Sequence, residues 1–368
     1  MLHSFFTSYA HQKNTFWRKW VSRVDEENLP LEKIHTSIPF AIGRKVVDYP
    51  FFWNECFDRW VASQLKKRPD FEVFIGWSGM CSHSIAMSKK MGKKTIVTRG
   101  SSHILTQEQI LREEYARFGI EHNIEKETIK KELQEYALAD YICVPSEFAY
   151  QSFIEQGVAP EKLFLNNLAV ELSFGNEVQT TAPPNRPFRI LYLGHMSPRK
   201  GIQYLFEAFS ILQKQGLDLE LWVVGGSTTE MDVYFKANPV PDKVQLLGHI
   251  PRTEIPEYIH QCHVGILPSL EEGLAKVIPE MLIRGLPVIA TFNSGGSDII
   301  KDGENGFIIP IRSVEAIVEK ILWLYNQPHL LPDMSIKAMA SIREMHNWES
   351  YGDKYADFIG SILSNPQH

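Results

Sequence analysis

Val264–Leu267 (VGIL) runs into Pro268-Ser269-Leu270-Glu271-Glu272-Gly273-Leu274-Ala275-Lys276-Val277-Ile278-Pro279-Glu280, and the pattern closes at Gly285-Leu286-Pro287-Val288-Ile289. VGIL is a short apolar run bounded by turn residues, as a buried strand is. A Glu-Gly turn follows, then a helix expected to start near Leu274, then a second strand at Pro287–Ala290 (PVIA). Strand, helix and strand in so short a compass make a βαβ unit, which requires a parallel sheet.

The alternation extends both ways. Gly306–Ile309 (GFII) lies downstream; Phe188–Leu193 (FRILYL), Leu219–Val224 (LELWVV) and Val244–Leu247 (VQLL) lie upstream, with helical patterns between most of them. Asn176–Pro187 (NEVQTTAPPNRP) is polar and proline-rich, as an exposed linker is. Before it stands a second series, with strands at Phe71–Gly76 (FEVFIG), Thr95–Thr98 (TIVT) and Tyr141–Val144 (YICV), and helices at Ser82–Lys90, Gln107–Ala139 and Glu147–Gln156. The fold class is α/β: two Rossmann-like, doubly wound parallel-sheet domains, residues 1–180 and 188–345, with the ligand expected in the cleft at the carboxyl ends of the strands. The first fifty residues fit less well, since Leu2–Ser8 (LHSFFTS) is strand-like but the first glycine of the chain is Gly43.

With 368 residues the chain is long enough for two domains. Hydrophobic residues at 44% and charged residues at 22% are a globular balance. A net charge of -6 argues against a general nucleic-acid binder. No apolar run nears the ~20 residues that span a bilayer. The start of the chain lacks the basic n-region of a signal peptide. Cys56, Cys81, Cys143 and Cys262 are scattered, with no Cys-x-x-Cys pair, which argues against a zinc site and a disulfide framework and suits a reduced, cytoplasmic setting.

The chemistry concentrates in the opening stretch. Gly273 lets backbone approach a ligand closely, and free amides at a helix start attract an anion. Glu272 at the mouth of that helix and Glu280 two turns on share one face of it if the helix begins near Leu274. Amides for phosphates beside carboxylates for hydroxyls suit a ligand carrying both. The same spacing also suits a partner for the helix dipole and a solvated carboxylate.

This segment resembles the glutamate-x7-glutamate motif of the retaining glycosyltransferases of family 4, which have the GT-B architecture. The resemblance covers nearly the whole C-terminal half. It takes in Leu193-Gly194-His195-Met196-Ser197-Pro198-Arg199-Lys200-Gly201, similar to the family's phosphate-binding loop. It also takes in Gly225-Gly226, Leu247-Gly248-His249-Ile250-Pro251, and Ser294 to Gly303 followed by Asn305-Gly306-Phe307.

The resemblance implies roles. Glu280 would bind the ribose hydroxyls and Glu272 the hydroxyls of the donor sugar. The amides of Gly273, Leu274, Ala275 and Lys276 would meet the diphosphate and sugar. Lys200 would neutralise the leaving group, with Gly194 in the same loop, and Ile250 would flank the base. His195 stands where the family usually has an arginine, and Arg199 is close enough in sequence to substitute. In the N-terminal half, Thr95 to His103 resembles a segment that carries a histidine or hydroxyls near the donor sugar. His103, with Arg99 and Ser102 beside it, is the site candidate there, and Trp77 the acceptor-side one. Trp348-Glu349-Ser350-Tyr351 and the helix to Leu363, within 346–368, resemble the helix that crosses back onto the N-terminal domain. An additional strand, loop and helix is expected ahead of Leu2–Pro39, so the chain reads as starting late.

The implied reaction is transfer of a sugar, with retention, from a UDP- or GDP-linked donor to a saccharide or lipid-linked acceptor in polysaccharide or glycoconjugate biosynthesis. No convincing Asp-x-Asp motif is present, so no metal is required. A nucleotide-sugar-binding partner protein without turnover is the competing reading, motivated by the short N-terminus and His195. A dinucleotide-dependent oxidoreductase is disfavoured, because Leu193-Gly194 does not open a Gly-x-Gly-x-x-Gly fingerprint. Phe16-Trp17-Arg18-Lys19-Trp20, Lys66-Lys67-Arg68, Lys89-Lys90 and Lys93-Lys94 raise a weak, salt-sensitive peripheral contact at the inner face of the membrane, against the alternative of ordinary solvated faces.

Overall fold

Residues 5–7, 34–36, 49–167, 169, 187–345 and 348–364 are described by a computed structural model. They fall into two compact units: one spans Met1–Arg99 with Ile124–Cys143, the other Gly100–Asn123 with Val144–His368. The Phe16–Trp20 cluster lies outside the described residues, as does nearly all of the Asn176–Pro187 linker.

The first unit contains a parallel pair of three-residue strands, β1 (Phe5–Thr7) and β2 (Ile34–Thr36). Helix α1 (Pro50–Lys67) follows, then β3 (Val73–Trp77), α2 (Ser82–Lys90) and β4 (Lys94–Thr98). Beyond residue 123 come α4 (Lys126–Leu138) and β5 (Tyr141–Val144), the last residue of which belongs to the other unit. Strands β3, β4 and β5 pair in parallel, with Trp77 beside Thr98 and Thr98 beside Cys143.

The expected single helix over Gln107–Ala139 is two. Helix α3 (Ile104–Arg117) ends where Gly119 turns left-handed at φ +68° and the amides of Phe118, Gly119 and Ile120 fold back on the carbonyls of Tyr115 and Ala116. Helix α4 is then a separate element.

The second unit also holds α5 (Glu147–Glu155) and β6 (Leu163–Leu165). Its large sheet comprises β7 (Phe188–Leu193), β8 (Leu219–Val224), β9 (Val244–Gly248), β10 (Val264–Leu267), β11 (Val288–Thr291) and β12 (Gly306–Ile309). All six are parallel, in the order β12-β11-β10-β7-β8-β9. Every residue of β10 and β11 is buried, because both faces are covered; this is why these strands read as unbroken apolar runs. The connecting helices are α6 (Ile202–Lys214), α7 (Thr229–Ala237), α8 (Ile255–His260) and α9 (Val277–Leu282), and α10 (Val314–Asn326) follows β12. Helix α6 buries Ile202, Leu205, Phe206, Phe209 and Leu212, one apolar stripe at helical spacing.

Helices α11 (Leu331–Met345) and α12 (Trp348–Ser364) close the chain. Helix α12 returns to the earlier half of the sequence: Phe358 stacks on Phe164 at 4.1 Å between ring centroids, and Asn166 Nδ2 donates to the Tyr351 carbonyl at 3.2 Å. Two parallel-sheet, Rossmann-like units are the fold class of GT-B.

Candidate functional site

In the large sheet the strand order reverses between β7 and β10, the first and fourth of its strands. Open α/β sheets bind ligands outside the carboxyl ends of the strands at such a switch point. The loops leaving β7 and β10 carry most of the C-terminal candidates. Gly201, at φ +68°, lies against the Pro268 carbonyl so closely that a Cβ would stand 2.0 Å from its oxygen. A Cβ on Gly273 would stand 2.1 Å from the Gly100 carbonyl oxygen, and Ser146 Oγ donates to the Gly273 carbonyl. Two glycines thus let three backbone segments touch at the site.

These loops bring Lys200, Arg199 and Glu272 together. Lys200 Nζ pairs with the Glu272 carboxylate, whose side chain is only 12% exposed. Arg199 Nε donates to the Glu271 carbonyl at 2.8 Å; its Nη2 lies 3.1 Å from the Glu271 carboxylate and 3.8 Å from that of Glu272. Glu271, which the sequence did not single out, is fully buried. It accepts hydrogen bonds from Ser101 Oγ (2.5 Å), Ser102 Oγ (2.8 Å), the Ser102 amide (3.1 Å) and Gln107 Nε2 (3.0 Å). Burial pushes its carboxyl upward, but the Arg199 charge and the serine donors outweigh that and hold it below the usual range.

The helix after the Glu-Gly turn starts at Val277, not near Leu274. The Ala275 amide is drawn to the Ser294 carbonyl at 3.0 Å, which keeps Gly273 to Ala275 non-helical. Glu272 and Glu280 therefore do not share a helix face, and the Ala275 amide is not available to a ligand. Among the described residues, the amides of Gly273, Leu274 and Lys276 donate to no protein acceptor. Leu274 and Ala275 are buried and Lys276 is exposed.

Glu280 is largely buried on α9 and accepts from Arg252 Nη2 at 2.7 Å. Burial raises its pKa and the Arg252 charge opposes the rise. Arg252, also missed in the sequence, belongs to the loop after β9 that carries Ile250, which packs against the core. The His195 side chain is exposed beside Gly226, where an added Cβ would stand 2.8 Å from the imidazole. Gly194 holds φ +151°.

The N-terminal candidates divide between the units. His103 is buried in the second: it caps α3 by accepting the Leu105 amide at Nδ1 (3.3 Å), and its ring stands edge-on to Phe153 at 4.8 Å. Ser102 meets Glu271, as above. Arg99 and Trp77 belong to the first unit. Arg99 is buried and forked onto Glu132, which also accepts from Ser78 and Tyr136, so its guanidinium is engaged by protein. Trp77, at the end of β3, is 51% exposed.

The first unit also gathers Glu55, Asp58 and His83, with one ligand atom of each within 4.8 Å of the others. Lys131 Nζ already sits there, paired with Glu55 and, at 3.0 Å, with Asp58. Of the basic cluster near residue 90, Lys89 pairs with Asp140 at 2.6 Å and Lys93 lies over the Phe71 ring at 5.3 Å. No described helix is long and apolar enough to cross a membrane. The four cysteines are unbridged.

Residues 174–341 match the family model of the group 1 glycosyl transferases. An uncharacterized glycosyltransferase of Haemophilus influenzae is 32% identical over 50% of the chain and 53% of its own length. The amylovoran biosynthesis glycosyltransferase AmsK of Erwinia amylovora is 24% identical over 69% of the chain and 60% of its own. The capsular polysaccharide biosynthesis glycosyltransferase CapM of Staphylococcus aureus is 27% identical over 55% and 53%. The chain thus spans between about half and three fifths of the length of these curated relatives. Among solved structures, the fold is shared with sucrose-phosphate synthase of Thermosynechococcus elongatus (TM-score 0.66, 18% identity, 86% of this chain and 80% of that one). It is shared too with HepE of Anabaena in complex with UDP (TM-score 0.64, 14% identity, 82% of each chain).

Proposed function

We propose that this chain is a retaining glycosyltransferase of family 4, moving a sugar from a UDP- or GDP-linked donor to a saccharide or lipid-linked acceptor in cytoplasmic polysaccharide or glycoconjugate biosynthesis. The observation that carries the proposal is the meeting of Lys200, Arg199 and Glu272 at the switch point of the second sheet, inside the segment that matches the group 1 model. The names of AmsK and CapM support the polysaccharide part, and the UDP in HepE supports the nucleotide part.

Departure of a nucleoside diphosphate concentrates negative charge on the leaving oxygens. Lys200, now paired with Glu272, would turn to that charge, assisted by Arg199 and the amides of Gly273, Leu274 and Lys276. Charge stabilisation that grows toward the transition state raises the rate rather than mere binding. Glu272, released from Lys200, would accept from donor-sugar hydroxyls. Glu280 would bind the ribose, with Ile250 against the base and His195 and Gly194 beside the phosphates. His103 and Ser102 would shape the sugar side. These roles assign the leaving-group charge to protein groups, so turnover should continue in EDTA.

The test is release of UDP or GDP from a panel of UDP- and GDP-sugars offered with lipid-linked and soluble saccharide acceptors, with product anomers read by NMR. A product of inverted configuration would overturn the retaining assignment. Binding of donors without transfer to any acceptor would favour a non-catalytic partner protein.

A further inference from the structure

Glu271 is buried completely, yet it is a carboxylate. Such a group persists in a protein interior only when paired and hydrogen-bonded. Here the pairing is elaborate and asymmetric. Ser101, Ser102 and Gln107 donate from one side, at the start of α3. Arg199 approaches from the other and is held twice by the same residue, at the backbone carbonyl (2.8 Å) and at the carboxylate (3.1 Å). The Leu270 amide in turn donates to the Arg199 carbonyl at 2.9 Å. A planar guanidinium gripped at two points has little freedom to turn.

Arg199 is also the residue next to Lys200, and its Nη2 reaches within 3.8 Å of the Glu272 carboxylate. Whatever fixes Arg199 therefore fixes one of two cations beside Glu272.

We infer that Glu271 is a positioning residue for the diphosphate of the donor: by gripping Arg199 at carbonyl and carboxylate it sets where that guanidinium stands beside the Glu272–Lys200 pair. This rests on the proposed nucleotide-sugar function. Glu271 does not touch the ligand; it acts through Arg199. A glutamate that merely glued Ser101 and Ser102 to the β10 loop would leave the diphosphate and the monophosphate of a nucleotide equally affected when altered.

The experiment titrates UDP, GDP, UMP and GMP into the full chain by calorimetry, for the unaltered protein, Glu271→Gln, Arg199→Ala and the two combined. Glu271→Gln keeps the shape and can still accept from the serines. Each single substitution should weaken the preferred diphosphate roughly tenfold, the loss of about one charged hydrogen bond. The pair should weaken it no further, because both act through one contact. Monophosphate affinity should change less than about twofold. Diphosphate affinity untouched by Glu271→Gln, additive losses, or equal losses for monophosphate and diphosphate would each overturn the inference. If Glu271→Gln does not fold, Ser101→Ala with Ser102→Ala loosens the far side alone; diphosphate affinity should then fall while monophosphate affinity holds, and no change would overturn the inference. An unaltered protein that binds neither diphosphate would sink the proposed function itself, before any variant is compared.

Discussion

Replacing Gly201 by alanine tests how tightly the β7 and β10 loops are coupled. Two glycines flank α6, and both are left-handed: Gly201 at φ +68° and Gly216 at φ +80°. An L-residue in that conformation costs about 1–2 kcal/mol, offset by about 0.4–1 kcal/mol from a stiffer unfolded chain. Gly216→Ala should therefore cost about 1 kcal/mol, since nothing lies within 4 Å of its added Cβ. At Gly201 the Cβ would stand 2.0 Å from the Pro268 carbonyl oxygen, whereas ordinary contact begins at 3.4 Å. The two loops must open by the difference, about 1.4 Å. Overpacking of this kind adds about 1–3 kcal/mol, for a total of about 2–4. Lys200 is the next residue, so it moves too, and a misplacement near 1 Å lowers turnover by about 100-fold. Urea denaturation and steady-state transfer, run on both variants, give the answer. Equal stability and equal turnover for Gly201→Ala and Gly216→Ala would show that the contact with Pro268 holds nothing in place.

Lys200→Ala should lower kcat more than it raises KM, because its work grows as diphosphate charge develops; a raised KM alone would contradict the assignment. Glu280→Ala should weaken nucleotide binding by about 1.5–3 kcal/mol, and unchanged affinity in calorimetry would remove Glu280 from the site. Burial pushes the Glu135 carboxyl up to about 7 against the amides of Cys81 and Gly79, which pull it down. Because its pKa is higher folded than the 4.5 of an ordinary glutamate, its stabilisation is complete below pH 4.5 and is lost as the pH rises to about 7. The stability of the unaltered protein relative to Glu135→Gln should fall across that window, by at most about 1.4 kcal/mol per pH unit; a flat or rising difference refutes the direction. Lys131→Met should cost about 3–5 kcal/mol, because it leaves the fully buried Asp58 without its counter-charge, and adding Asp58→Asn should recover part of the loss in denaturant melts.

The sheets were legible because parallel strands covered on both faces leave largely apolar runs; FRILYL, LELWVV, VGIL and GFII coincide with β7, β8, β10 and β12. Helix ends were harder. A charged pattern carries on through Gly119, and only the folded turn shows where α3 stops. Likewise the start of α9 depends on a hydrogen bond between Ala275 and Ser294, which no local pattern announces. At the site, Lys200 and Glu272 could be read because each sits in a recognisable loop. Glu271 could not be told from its neighbour Glu272, because its partners lie 72 and 170 residues away. His103 shows the opposite difficulty: a histidine in a suggestive segment turns out to cap a helix as well, and local sequence does not distinguish those uses.

The stacking of Phe358 on Phe164 has a consequence in time. The chain is made from its N-terminus, and some 180 residues separate Leu165 from Trp348, where α12 begins. At roughly 5–20 residues per second, about 10–40 seconds pass between synthesis of β6 and of the helix that covers it. Throughout that interval the Phe164 ring lacks the rings of Tyr355 and Phe358 that pack on it in the finished fold. A chain ended before Trp348 would therefore hold every strand of the large sheet and still lack the ring that stacks on Phe164.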